Sequence, residues 1–187
     1  MSTMKKIKIL DIGCGKNKHK SDNPKDIVIG LDKFRLVGVD VVWDLETIPL
    51  PFKDNEFDMV IAKSVLEHIV NLIPLLEEIW RILKPKGTFR VIVPHFSSER
   101  AYTNPDHKRF FGCFSFDYFT KDQPENYYTK IRFKIKKRNL VFIDNPKYSF
   151  LNKIFNPIIN LYLPFYEKFL FKFISADQIK IEIITIK

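Results

Sequence analysis

Gly13 and Gly15 follow the apolar run Ile7-Lys8-Ile9-Leu10-Asp11-Ile12, so a glycine pair stands where a strand must end and turn. Glycine at both positions removes the side chains that would keep a ligand off the backbone. Two more carboxylates close later apolar runs: Asp32 after Ile27-Val28-Ile29-Gly30-Leu31, and Asp44 after Val41-Val42-Trp43. An acid about 20 residues beyond a glycine turn has the spacing at which a carboxylate accepts from ribose hydroxyls. These residues therefore suit recognition of a nucleoside-like ligand at the carboxyl ends of parallel strands. A dinucleotide site would place a third glycine at a helix start to receive the pyrophosphate. This chain has Lys18 there, within Lys16-Asn17-Lys18-His19-Lys20, which disfavours NAD.

Such groups need a sheet to hold them. Periodicity predicts strands near 7–12, 27–32, 39–43, 57–62 and 88–93, a long one within 131–143, and a last at 179–186, where Ile179, Ile181, Ile183 and Thr185 alternate with their neighbours. A helix is expected from about Asn71, because Leu72, Leu75, Leu76, Ile79 and Leu83 recur at helical spacing and Pro74 is tolerated in a first turn. Lys16 to Asp26 is too short for a helix of average length, about 11–12 residues, with its caps. Asn17, Ser21, Asp22, Asn23 and Pro24 predict a single turn or an irregular loop, leaving that side of the sheet thinly covered.

The order continues through Phe57-Asp58-Met59-Val60-Ile61, then Ser64-Val65-Leu66-Glu67-His68-Ile69, then Leu76 to Gly87 with its Leu83-Lys84-Pro85-Lys86-Gly87 ending, and the run Thr88 to Val93. With these motifs in place, residues 7–96 resemble the class I S-adenosylmethionine-dependent methyltransferases, in particular the type 11-like, Leu-Glu-His subgroup. The resemblance implies one methyltransferase domain over residues 1–187. Its fold would be an α/β, Rossmann-like three-layer sandwich with a seven-stranded, mostly parallel sheet whose last strand is antiparallel. It implies S-adenosyl-L-methionine as cofactor, with Gly13, Cys14 and Gly15 under the methionyl part and Asp32 on the ribose hydroxyls. Asp44 and the Leu45 amide would read the adenine, backbone near Lys63 would meet the methionyl amine, and Asp11 would support the turn. Lys86 stands where that family commonly has glycine, a small strain if the turn needs a positive φ.

Composition narrows the class further. With 187 residues, 45% of them hydrophobic, the chain can bury one proper core. Asp11 interrupts the first apolar stretch before a signal peptide could form. Cys14 and Cys113 lack CxxC spacing, which argues against a disulfide framework or a zinc site and for a reducing, cytoplasmic compartment. His19, His68, His95 and His107 show no i, i+4 pairing, so no metal is expected. The net charge of +9 is partly local, with lysines around the glycine turn and a basic run from Lys130 to Arg138. A basic stripe can serve nucleic acid. Alternation with Ile131, Phe133 and Ile135 is equally what a sheet with one solvated face shows, and that reading is preferred.

Residues 94–130 follow the fifth strand on the ligand side and are expected to form an acceptor-site loop or lid. Phe110, Phe111, Phe114, Phe116, Tyr118 and Phe119 would either wall a pocket or anchor the loop. Residues 148–174, aromatic-rich around Pro157 and Pro164, are expected as a helical insertion between the last two strands. Packing on the sheet is the default; a lid, a dimer surface or a peripheral membrane contact stay open. Oligomeric state is not legible.

Absences narrow the chemistry. After the fourth strand the chain reads Ala62-Lys63-Ser64-Val65, not the Asn/Asp-Pro-Pro-aromatic tetrapeptide of amino-group methylases, and neither cysteine stands where a C5 nucleophile would. Direct displacement onto an oxygen or a nitrogen remains, and of the two an oxygen of a small-molecule or glycan-type acceptor is preferred. The alternatives are an RNA methyltransferase using the basic stripe and a binding protein without turnover. A hydroxyl acceptor needs a base, and the candidates are His95, just beyond the fifth strand, and His107 on the following loop. For both, a merely structural role is the competing reading. His68 is assigned to shaping the cofactor pocket.

Overall fold

The computed structural model describes residues 6–123 and 126–187; residues 1–5, and Pro124 and Glu125 within the expected 94–130 connection, lie outside the described residues. The first apolar run becomes β1 (Lys8–Ile12), flanked in parallel by β2 (Ile27–Asp32) and β4 (Phe57–Lys63), with Leu10 opposite both Ile29 and Val60. β3 (Val41–Val42) lies outside β2 and is shorter than the 39–43 expected. β5 (Leu83–Pro94) starts five residues earlier than its apolar alternation implies, because Leu83 already pairs with Phe57 before the register shifts. β7 (Gln178–Ile186) runs antiparallel between β5 and β6 (Arg132–Val141), so the sheet order is β3-β2-β1-β4-β5-β7-β6. This is the expected α/β methyltransferase fold, with a seven-stranded mixed sheet and an antiparallel last strand.

The core occupies one face of this sheet. Helix α1 (Leu72–Ile82) turns Leu72, Leu75, Leu76, Ile79 and Ile82 inward against Leu10, Val60, Phe89 and Val91. Each such buried aliphatic side chain stabilises by roughly 1.5–3 kcal/mol. No helix forms between β1 and β2, as the polar composition of 16–26 implies. Carboxylates hold that loop instead: Asp26 accepts from the Ile7 amide (3.1 Å), the Ser21 hydroxyl (2.5 Å) and the Asn23 side-chain amide (2.8 Å). Met59, Thr88, Arg90 and Ile92, which face the thinly covered side, stay half-buried.

The connection after β5 carries the short helix α2 (Arg100–Thr103) and anchors itself with aromatics. Phe111, Phe116 and Phe119 join the core, Phe114 and Tyr118 pack against it, and Phe110 stays exposed. Anchoring therefore accounts for five of the six aromatics.

The insertion between β6 and β7 forms α3 (Asn152–Asn160) and α4 (Leu163–Lys168). An edge strand presents unpaired amides and carbonyls. Here α3 supplies their partners: Asn160 accepts from the Leu140 amide (2.7 Å) and donates to the Leu140 carbonyl (2.9 Å), Asn156 accepts from the Phe142 amide (2.8 Å), and Asn152 bonds both backbone groups of Ile143 (3.0 and 2.8 Å). The asparagines recur every four residues and so share one helix face. The opposite surface leaves Ile154, Ile158, Leu161, Tyr162, Phe165, Phe169 and Phe173 exposed. No helix among the described residues is long and apolar enough to cross a membrane.

Two stability changes follow. Asn160→Leu leaves the amide and carbonyl of Leu140 without partners and should destabilise by about 1–3 kcal/mol, read as a lower midpoint in urea unfolding. Lys86 has φ 61°. Left-handed backbone costs a side-chain-bearing residue roughly 1–2 kcal/mol, so Lys86→Gly should raise the melting temperature by about 2–4 °C, checked by calorimetry.

Candidate active site

The turn after β1 requires glycine for two different reasons. Gly13 has φ 63°, and a Cβ there would overlap the Val65 side chain, so the segment after β4 packs directly on the turn. Gly15 has φ 54° and no protein atom within 4 Å of where its Cβ would be. The first glycine closes the protein against itself; the second keeps space open. Asp32, at the end of β2, locks the turn by accepting from the Gly15 amide (2.9 Å), while its other oxygen accepts from the Phe34 amide (3.0 Å). A carboxylate has about four acceptor sites, so both oxygens keep capacity for a ligand. Asp44 is held by the Glu46 amide (2.9 Å), and Leu45 beside it is buried.

These groups bound a cavity of about 420 Å³ lined by Gly13, Asp32, Asp44, Leu45, Val65 and His68 among others. Gly13 also borders a second cavity of about 500 Å³, with Asp11, Cys14, Lys63 and Ser64. Both volumes suit a small ligand. The eight residues expected at a cofactor thus meet around one turn. Asp11 is buried, which raises its pKa, and its carboxylate accepts from the His19 amide (2.7 Å), tying the 16–26 loop to the turn. Burial, then the nearby Asp11 and Asp32 charges, push the Cys14 thiol up to about 11.

His95 and His107 part company. The His95 ring has no exposed surface; it lies against Phe96 and Tyr166, with centroids 4.4 and 5.7 Å away. Its Nδ1 accepts from the Ser97 amide (3.1 Å) and stands 2.8 Å from the Ser97 hydroxyl. Nε2 is 3.7 Å from Glu167 on α4, which in turn accepts from the Cys113 amide (2.6 Å). The expectation that His95 faces the crevice is corrected: its ring is fully buried, packed against Tyr166 of α4.

His107 comes against His68, which lines the cavity. The Glu67 carbonyl accepts from the amides of Lys108 (2.7 Å) and Arg109 (3.1 Å), strapping the loop to the 3-10 turn Leu66–His68. The His107 and His68 rings then meet edge to face, 4.8 Å apart. His107 Nδ1 donates to the Ala101 carbonyl (2.9 Å), and His68 Nδ1 donates to Asp106 (3.0 Å). Beside them Glu67 is 1% exposed, its Oε2 has no hydrogen-bond partner, and burial raises its pKa.

Sequence reasoning passed over Glu67 and Glu167. The signal for Glu67 was its place next to His68; nothing local marks Glu167, whose contacts depend on how the insertion docks. Three of the six basic residues of the run are engaged: Arg132 donates to the carbonyls of Asn126, Thr129 and Ile131, Lys136 pairs with Glu182, and Arg138 with Asp117.

Residues 10–91 match the family described as "Methyltransferase domain". An uncharacterized protein of Methanocaldococcus jannaschii is 41% identical over 92 residues, which cover 46% of this chain and 40% of that protein. A protein of Mycolicibacterium smegmatis named "Probable S-adenosylmethionine-dependent methyltransferase" is 33% identical over 118 residues, covering 54% of this chain and 45% of its own length. The chain thus spans less than half the length of these curated relatives. Among solved structures, an S-adenosylmethionine-dependent methyltransferase from Mesorhizobium loti shares the fold with a TM-score of 0.54 at 13% identity, over 95% of this chain and 90% of that one.

The thiols offer a direct check on the turn. With burial holding Cys14 at about 11, and Cys113 at about 12, only about a thousandth or less of either is thiolate at pH 8. Iodoacetamide should modify the native protein slowly at pH 8 and faster as pH rises toward 11, followed by mass spectrometry. Rapid labelling of Cys14 at pH 7 would contradict the burial described.

Proposed function

We propose that this chain, whose residues 10–91 match a methyltransferase-domain family, is a class I S-adenosylmethionine-dependent methyltransferase that transfers the methyl group to a hydroxyl of a small-molecule or glycan-type acceptor. The observation that carries this reading is one cavity bounded by the glycine turn, Asp32 and Asp44, with His68 at its rim and His107 against it. Asp32 accepts from the ribose hydroxyls and Asp44 with the Leu45 amide reads the adenine. Gly13, Cys14, Gly15 and the backbone near Lys63 hold the methionyl end. Asp11, whose carboxylate accepts from the His19 amide, supports the turn.

The sulfonium methyl is electrophilic without help from the protein, so the chain's task is alignment and proton removal. The acceptor oxygen attacks opposite the sulfur and its proton leaves toward the Glu67–His68–His107 cluster. Of the two histidines expected as bases, His107 belongs to that cluster and His95 is structural. Tyr102 and Phe110, stacked 4.8 Å apart and exposed on the same connection as His107, offer an aromatic platform suited to a sugar-like ring. The pairing of Arg132, Lys136 and Arg138 weighs against RNA as acceptor.

In calorimetry the protein should bind S-adenosylmethionine or S-adenosylhomocysteine in preference to NAD. Asp32→Ala and Asp44→Ala should each weaken binding about tenfold or more, the scale of a lost hydrogen bond to a charged group. With a hydroxyl acceptor, His107→Ala should slow methyl transfer and leave cofactor affinity nearly intact, whereas His95→Ala should chiefly lower the melting temperature. Failure of the wild-type protein to bind either cofactor form would remove the assignment.

A further inference from the structure

We propose that Glu67, His68 and His107 form a divalent-cation site at the rim of the cofactor cavity, and that the cation binds and acidifies the acceptor hydroxyl. The inference deepens the methyltransferase reading and rests on it for the cation's role, though not for its binding. One donor atom from each of the three side chains lies within 4.8 Å of the others'. Two imidazoles and one carboxylate are a donor set suited to a first-row transition ion that keeps positions open for exogenous oxygen.

Hydrogen bonding decides the protonation of both rings. Asp106 carboxylate and Ala101 carbonyl can only accept, so the Nδ1 of His68 and of His107 must each carry the proton. In the neutral ring that leaves Nε2 with its lone pair. An imidazole whose second nitrogen donates to a carboxylate or a backbone carbonyl is the usual arrangement of a metal-ligating histidine. Glu67 supplies the independent sign. It is 1% exposed and its Oε2 has no hydrogen-bond partner among the described residues, so a cation there would supply the compensation that an ionised carboxylate needs in a buried place. Backbone fixes the three together, since the Glu67 carbonyl itself holds the loop that carries His107.

The molecule contains a second group of this kind, and the same logic rejects it. His95, Cys113 and Glu167 also lie within 4.8 Å of one another. There, however, the Ser97 amide donates to His95 Nδ1, which puts the proton on Nε2, the atom nearest Glu167. That nitrogen offers the carboxylate a donor, not a metal a lone pair.

At the first site, S-adenosylmethionine and the acceptor react as follows. The acceptor oxygen binds the cation, its O–H breaks and the proton passes to water; His107 is then a ligand, and acidification of the hydroxyl by the cation replaces proton removal by a histidine base. The oxygen lone pair then forms the O–C bond as the C–S pair returns to sulfur, giving the methyl ether, S-adenosylhomocysteine and one proton. The cation lowers the hydroxyl's pKa without being consumed. His68 lines the cavity that holds Asp32 and Asp44, so the cation would lie beside the cofactor.

Cobalt(II) added to the metal-stripped protein reports this site through its visible ligand-field bands and through calorimetry. One equivalent should bind, and Glu67→Gln and His107→Ala should each weaken it at least 100-fold. Asp106→Asn should weaken it roughly 10–100-fold by releasing His68, without endangering the fold, because the Asp106 side chain is exposed. S-adenosylhomocysteine is titrated into the same samples, and its affinity should be unchanged in all three variants. If the wild-type protein binds this cofactor form but no cobalt at millimolar concentration, the cluster is a histidine–carboxylate pair and the proposal is overturned. Equal cobalt binding by wild type and Glu67→Gln overturns it as well. Cobalt binding without cofactor binding would instead leave the site standing and remove the methyltransferase reading.

Discussion

Direct packing of Val65 on Gly13 is the contact on which the rest of the site depends. Because no Cβ separates them, the glycine turn after β1 and the segment after β4 make one continuous wall. A side chain at residue 13 would overlap Val65 and adopt an unfavourable φ, and the wall would part. From that contact outward each feature hangs on the previous one. Val65 is followed by the turn that carries Glu67 and His68, and the Glu67 carbonyl then receives the amides of Lys108 and Arg109. The loop that brings His107 is thus positioned by backbone hydrogen bonds rooted in the same turn that forms the cofactor cavity.

Side-chain amides and carboxylates do work here that helices do in a fully clothed α/β sheet. On one side, Asp11 and Asp26 gather the amides of His19 and Ile7 and hold a loop where there is no room for a helix. Asp40 accepts from the Gly30 amide (2.7 Å) and pairs with Lys18 (2.8 Å), fastening the far end of the same loop to β2. At the opposite edge, the asparagines of α3 take up the backbone groups of β6 and the residues beyond it that no further strand pairs. The core stays on one face, where α1 supplies a full apolar stripe. The fold tolerates a thin second face because what lies there is hydrogen-bonded, not merely exposed.

How legible this was depends on the range of the interactions. The strands and α1 could be read because their signals are local, an alternation or a 3.6-residue stripe within one segment. That the glycine turn and the two strand-end acids border one cavity could be read because they keep their order along the chain. The early start of β5 could not, since Leu83 pairs with Phe57 before the register shifts and no local pattern records that. Nor could the asparagine ladder: Asn152, Asn156 and Asn160 look like interruptions of an apolar helix until the edge of β6 is set against them. His95 was misplaced for the same reason. Its position beyond β5 is on the ligand side, but Tyr166 and Glu167 arrive from 70 residues away to close over it.

Residue type alone does not separate the two histidine–carboxylate clusters; the second nitrogen of each ring does. At His95 the Ser97 amide makes Nδ1 an acceptor, so Nε2 carries the proton and lies buried 3.7 Å from Glu167 with no lone pair to offer. At His68 and His107 acceptors occupy Nδ1, so the free nitrogens are lone pairs and the cluster stays open. A ring that ends as a donor beside a carboxylate ties elements together. Rings that end as acceptors stand beside a carboxylate whose Oε2 has no hydrogen-bond partner among the described residues. The first kind sits sealed under α4; the second borders the cavity with Asp32 and Asp44. Hydrogen-bond direction, set by two backbone groups and one aspartate, thereby leaves lone pairs at one cluster and none at the other.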